Sequence, residues 1–364
     1  MNSTPNSRER YSAHLPALHL LCNLGWNFLT TAQALALRGS TREVLLRSRL
    51  IEVLQTRRYQ YKGEWYPLSP SGIEQVVREL SALSLADGLM SANERLYGKL
   101  VLGITVTEFM PDGKRHQPTI PVPHCTDASA NRWDMTEKLE VLSAQGAHHR
   151  TPDVVAYLNG IPLVVIEAKR PESGGSHPSK AMVQEGISQH LRNQRPDEIP
   201  NLFAYAQLLL SISQTEGRYG TTHTAAKFWA KWHEEEYDEP YMQAFKNAPL
   251  KPEVREALFE GKPASLTAYF DILWNASMQV SEQDRLLISL LTPSRLLEFL
   301  RGYVLFDRKV GKIVARYQQF FGIRALLTRI SLKKPDSQGG GREGGVVWHT
   351  TGWGKSFSMV FLTK

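Results

Sequence analysis

Three ionisable residues sit at the ends of two apolar runs. Thr151–Arg170 reads TPDVVAYLNGIPLVVIEAKR, with Asp153 just before the run Val154–Leu158, and Glu167 and Lys169 just after the run Ile161–Ile166. Charges in a core are costly unless something pairs with them. Two acids and a lysine at one end of a buried unit therefore point to a metal ion and a phosphate. Glu167 and Lys169 are two apart, so on a strand they share a face. Asp153 would lie on the neighbouring strand near the same end. Two converging carboxylates make the hard-oxygen environment that Mg²⁺ prefers, and the Ala168 carbonyl offers a further ligand. Lys169 is placed to hold or polarise an attacking water and to offset phosphate charge. The chemistry is metal-assisted phosphodiester hydrolysis.

The element that must position these groups is a hairpin. Asn159-Gly160 between the runs is a strong two-residue turn signal. Both runs are nearly continuous in apolar residues, so both strands should be buried on two faces. A strict two-residue turn would oppose Leu158 to Ile161 and Asp153 to Ile166, which puts Asp153 and Glu167 on opposite faces. A shared metal site needs that parity corrected by one residue, through a longer loop, a bulge or a twist. The residues Pro152-Asp153 and Glu167-Ala168-Lys169 resemble the PD-(D/E)xK nuclease signature.

The 364 residues, 42% hydrophobic and 22% charged, suit a globular chain of two or three domains. The net charge of +7 fits a polyanionic partner. Cys22 and Cys125 match no metal spacing, and no apolar run approaches a membrane span, so a reducing cytoplasm is expected. Residues 1–13 are polar and expected to fray. Apolar spacing predicts helices over Arg42–Gln55, Ser71–Leu83, Lys180–Asn193, Ser294–Arg301 and Lys312–Ile330. Strands are expected over Leu100–Phe109, Asn131–Val141 and Leu202–Ser213, with Arg218–Thr222 following. The stretch PESGGSHPS after Arg170 reads as a flexible loop beside the site, and Tyr237–Ser281 as polar and helical. The expected fold is α/β, with three parts: a nuclease core with N-terminal helices over 1–240, a helical linker or insertion over 241–300, and a further unit over 301–364.

A second motif lies at the end of the sequence, GGVVWHTTGWGKSFSMVFLTK. Val346–His349 reads as a strand, Thr350–Gly354 as a small-residue loop, and Lys355-Ser356 as the opening of an apolar helix. That is the context of a phosphate-binding loop. Backbone N–H groups of the loop, which includes Thr351, Gly352 and Gly354, would cradle phosphate. Lys355 would reach the β/γ-phosphates of ATP and Ser356 would coordinate Mg²⁺. His349 stands where the general pattern has its first Gly.

RTPDVVAYLNGIPLVVIEAKRP and GGVVWHTTGWGKSFSMVFL together resemble the N-terminal part of the restriction (R, HsdR-like) subunit of type I restriction-modification enzymes. The resemblance runs from about Arg42 onward, and that family's phosphate loop typically begins with His, as here. It implies a PD-(D/E)xK restriction-endonuclease-like core, a mixed sheet flanked by helices, followed by the start of a RecA-like superfamily 2 motor. It also implies Mg²⁺, ATP, double-stranded DNA, and the methyltransferase (M) and specificity (S) subunits as partners. The family's Gln-x-x-x-Tyr element falls on Gln189, with Asn193 where Tyr is usual; Gln184 has an equal claim from its place on the same helix. The family's adenine-reading Gln falls on Gln319, with Gln318 beside it. No acidic motif follows Lys355 in the nine residues after it. The motor is therefore expected to be incomplete, with no ATPase activity, and the helix from Lys355 to lack partners for Phe357, Met359, Val360 and Phe361. The rival expectation is a DNA-binding or assembly module that does not cut.

Overall fold

The computed structural model describes residues 10–171, 182–333, 340–342, 345–346 and 354–364. The expected loop after Arg170, the first residues of the Lys180–Asn193 helix, and Thr351 and Gly352 of the phosphate loop lie outside them, apart from Pro171. So does most of the Val346–His349 strand.

The architecture is mixed α/β. A six-stranded sheet carries β1 (Asn27–Leu29), β2 (Trp133–Glu137), β3 (Val154–Leu158), β4 (Ile161–Ala168), β5 (Leu208–Ser213) and β6 (Glu216–Gly220), side by side in chain order. The β1–β2 and β4–β5 pairs are parallel and the other neighbours antiparallel. Every residue of β3, β4 and β5 is buried, as their unbroken apolar runs require.

Helices supply the cover. α1 (Leu15–Asn23) buries Leu15, Leu18, Leu20 and Leu21 completely. α2 (Leu89–Leu102) turns Leu89, Ala92, Leu96 and Leu100 inward and stops at Gly103, at φ +80°. A parallel pair needs a crossover. Between β4 and β5 the described part of it is α3 (Met182–Asn193) and a short helix, Pro200–Tyr205. α3 packs on both β4 and β5 with Val183, Gly186, Ile187 and His190 buried.

Beyond the sheet, helices Glu239–Lys246, Pro252–Phe259 and Ala264–Trp274 fill the region read as polar and helical. They lead to α4 (Glu282–Leu291) and α5 (Pro293–Gly302). A hairpin follows, β7 (Val304–Asp307) with β8 (Gly311–Val314), then α6 (Tyr317–Ser331) and α7 (Lys355–Thr363). Lys312 pins the hairpin to the core around the six-stranded sheet. Its Nζ donates to Asn93 Oδ1 on α2 at 2.8 Å and to Gln207 Oε1, just before β5, at 2.6 Å.

Four expectations need correction. The N-terminus is packed from Tyr11 onward: its ring lies 5.0 Å from Tyr269 and 6.0 Å from Phe270. Leu100–Phe109 is the end of α2 followed by two short strands, because the helical period starts earlier, at Leu89. Leu202–Ser213 begins as helix and becomes strand only at Leu208. Lys312–Ile330 begins with β8, because Asp307 Oδ1 accepts the N–H groups of Lys309 and Val310 at 2.8 Å and Gly311 adopts φ +87°, closing a turn.

Candidate active site

The β3–β4 register decides the geometry. Leu158 pairs with Ile161 and Tyr157 with Pro162, but Ala156 pairs with Val164, so Leu163 is an extra residue on β4. Pro162 has no N–H to give the ladder, and prolines in strands gather at such irregularities. Beyond the bulge Val154 faces Ile166, which brings Asp153 level with Glu167 on one face. The parity correction that a shared site required is therefore present, and Pro162 was the signal in the sequence that could have located it. At the other end the turn is locked. Asn159 and Gly160 take φ +54° and +83°. The Asn159 side chain donates to Val122 O and Asn131 Oδ1 and accepts from Arg132 N.

Asp153, Glu167 and Lys169 meet at the open end with 3, 4 and 5% of their surface exposed, so their charges are answered by protein and not by bulk water. Lys169 Nζ lies 3.8 Å from Asp153 Oδ2 and 3.6 Å from Glu167 Oε2. Ala168 enters through its N–H, which donates to Asp153 Oδ2 at 2.8 Å. Burial, reinforced by the Asp153 charge, pushes the Glu167 carboxyl well above the ordinary range. Burial also pushes Asp153 up, but Lys138, Lys169 and His14 outweigh it and hold that carboxyl below its usual value. The pair is thus one ionised acid beside one that resists ionising, an arrangement a divalent cation would relieve. Among the described residues no group of three or more His, Cys, Asp or Glu side chains could hold a metal. An ion here would rest on two carboxylates and non-side-chain oxygens, the sparse set typical of Mg²⁺.

Sequence reasoning did not pick out Lys138, which donates from Nζ to Asp153 Oδ1. It ends the segment NRWDMTEK, and an adjacent Glu137-Lys138 at the exit of a strand was its only signal. Gly186 on α3 was also missed: a Cβ there would meet Ser211 Oγ at 2.2 Å and Glu167 Cβ at 3.3 Å, so the helix lies against the site through a glycine. Gln189, one turn further on, has its Oε1 buried without a hydrogen-bond partner, and among the described residues no hydrogen bond joins it to the three charged groups. Gln184 is half-buried, its carbonyl accepting from Ser188 Oγ. Asn193 is buried and takes Arg192 on its Oδ1, so it offers no surface to DNA.

Residues 6–228 match the family described as type I restriction enzyme R protein N terminus. The chain belongs to that family. Relatives of the chain include the HindI endonuclease subunit of a type I restriction enzyme from Haemophilus influenzae, 27% identical over 94% of the chain and 28% of the relative. The putative MjaIXP endonuclease subunit of Methanocaldococcus jannaschii is 24% identical over 98% of the chain and 31% of the relative. The chain thus spans under a third of the length of either. Residues 318–364 of the R-protein chain match a second family, SWI2/SNF2 ATPase.

At that second region Gln319 caps α6, its Oε1 accepting from Arg316 N at 2.9 Å, and its Nε2 donates to Gly354 O at 3.2 Å. Its amide therefore ties α6 to the residue that opens α7. Lys355 and Ser356 begin α7 and are exposed. The helix has more support than its sequence suggested. Phe361 is buried, 6.2 Å from the Tyr303 ring, Lys364 Nζ reaches Val304 O at 2.6 Å, and Phe357 is half-buried; Met359 and Val360 are exposed as expected. No helix among the described residues is long and apolar enough to cross a membrane.

Proposed function

We propose that this chain is the endonuclease part of a type I restriction enzyme R subunit, with a PD-(D/E)xK core that hydrolyses phosphodiester bonds of double-stranded DNA. The observation that carries the reading is the bulge at Leu163, which sets Asp153 level with Glu167 and within reach of Lys169. Asp153, Glu167 and the Ala168 carbonyl would hold Mg²⁺, which supplies Lewis-acid activation of water and phosphate. Lys169, lying between both acids, orients the attacking water and neutralises charge that builds on the phosphate. Gln189 helps place the scissile phosphate. The wider nuclease unit is 1–240, the helical linker 241–300, and 301–364 begins a RecA-like motor. There Gln319, Thr351, Gly352, Gly354, Lys355 and Ser356 form part of an ATP site, a reading the SWI2/SNF2 match supports. The working assembly includes methyltransferase and specificity subunits in the cytoplasm.

The test is Mg²⁺-dependent nicking of supercoiled plasmid by the assembled complex. Asp153→Ala, Glu167→Ala and Lys169→Ala should each abolish cutting and leave the circular-dichroism spectrum unchanged. A single alanine variant that cuts at the wild-type rate removes that residue from the mechanism. A second reading, a module that binds DNA or its partner subunits without cutting, is favoured by one observation: both oxygens of Asp153 already accept from Lys138 and Ala168. Complexes that bind duplex yet never nick it at any Mg²⁺ concentration would establish it.

A further inference from the structure

Lys138 stands at the proposed metal site, and nothing in the hydrolytic scheme uses it. It leaves β2 in the left-handed region, at φ +47°, where a long side chain is uncommon. It holds Asp153 twice: its backbone N–H donates to the Asp153 carbonyl at 2.9 Å, and its ammonium to Oδ1. The acid next to it in sequence is engaged elsewhere. Glu137 Oε1 receives Lys262 Nζ at 2.5 Å, and Glu137 Oε2 lies 3.3 Å from His14 Nε2. Asp153 Oδ2 takes the Ala168 N–H, so Oδ1 is the oxygen that Lys138 covers. The two lysines of the site differ. The Lys169 side chain is 6% exposed and lies between both acids, whereas the Lys138 side chain is 39% exposed and borders solvent.

We propose that Lys138 is the site's resident counter-ion, holding Asp153 until a divalent cation displaces it, so that metal binding and release of the Lys138 ammonium are one event. This rests on the reading of Asp153 and Glu167 as metal ligands. An ion bonded to Oδ1 at about 2.1 Å leaves no room for an ammonium on the same oxygen. A site in competition with its own lysine binds metal more weakly by the fraction of time the lysine is away. The lysine keeps two neighbouring acids folded together when no ion is bound. The same lysine sets how much metal the site demands before it forms.

The experiment is calorimetric titration of Mn²⁺ into the 364-residue chain, with melting temperatures taken in chelator and in saturating Mn²⁺. Lys138→Met should bind the ion roughly fivefold to tenfold tighter than wild type, the effect of losing one competing ion pair. It should melt lower than wild type in chelator, with the gap closing in Mn²⁺. Lys138→Arg, which keeps the charge on Asp153, should bind no tighter than wild type. Lys138→Gln serves as a second uncharged variant if the Met protein fails to fold. Uncharged variants that bind Mn²⁺ no tighter than wild type overturn the displacement mechanism while leaving the metal site standing. If neither wild type nor uncharged variants bind the ion, the metal reading fails and this inference with it.

Discussion

Glu167 shows what crowding two buried acids costs a fold. Its carboxyl is buried beside Asp153 and resists ionising. A group whose folded pKa is raised stabilises the protein below its unfolded pKa, and that contribution is lost as pH rises through the folded value. In chelator, Glu167→Gln should therefore lose less stability than wild type as pH rises, by about 1 kcal/mol, because it has no proton to give up inside the buried site. Chemical denaturation of both proteins in chelator measures it; a variant that loses as much as wild type would mean Glu167 is already well compensated. Glu198 runs the other way. Arg150 Nε at 2.5 Å, Arg150 Nη2 at 2.6 Å and His148 Nε2 at 2.9 Å hold its carboxyl down to about 2. Its contribution is present above the ordinary value of 4.5 and is lost as pH falls through about 2. Glu198→Gln should flatten acid unfolding across that window, measured by denaturant midpoints from neutral pH downward.

At the scale of elements, α3 lies against the site because Gly186 lets it. A methyl group there would press on Ser211 Oγ and the Cβ of Glu167. Gly186→Ala should cost roughly 1–3 kcal/mol by overpacking and depress cleavage with it; unchanged melting would show that α3 has room to shift. Such elements differ in how plainly the sequence announces them. The β3–β4 hairpin was readable because a turn dipeptide separates two runs that only a doubly covered strand would tolerate. α3 was readable from Val183 and Ile187 on one face. The bulge was hidden from the apolar pattern, because every residue around Leu163 is apolar and alternation carries no information there; Pro162 alone marked it. α1 went unread, since a helix buried almost all round shows no apolar period. β8 was lost in a longer helical pattern because its turn depends on Asp307, a local side-chain-to-backbone bond that periodicity does not register. Lys138 was unreadable for a different reason: its partner is distant in sequence and its backbone angle is unusual.

For the whole molecule, one arginine ties α5 to α6 and to the segment at Glu234–Tyr237. Arg295, 1% exposed, bonds Glu234 at 3.2 Å and Glu236 at 2.9 Å, and lies over the rings of Tyr237, Phe320 and Phe321 at 4.4, 4.9 and 5.5 Å. Arg295→Met leaves buried Glu234 without its cation, while Glu236 keeps Arg324 at 3.1 Å, and should cost about 3 kcal/mol. Hydrogen exchange should show α6 losing protection while β3 and β4 keep theirs. Equal loss in both would mean the arginine supports the entire molecule and not one joint. The net charge of +7 acts at the same scale. A footprint of about five phosphates on duplex DNA implies a several-hundred-fold fall in affinity between about 50 and about 200 mM salt. Binding that is flat in salt would assign the excess charge to something other than DNA.

The extra residue in β4 exposes the molecule to a particular kind of accident. Both faces of β3 and β4 are buried and nearly all apolar, so either frame of pairing would still bury apolar side chains. A substitution at Leu163 leaves the frame alone. Deletion of that one codon triplet would shift it, keep a hydrophobic hairpin with its turn intact, and swing Glu167 to the far side of the sheet from Asp153. Such a lineage would keep making a folded, antigenically similar protein whose two acids had parted in one heritable step. Frame-preserving indels in this hairpin are therefore where inactive descendants of the gene should be sought.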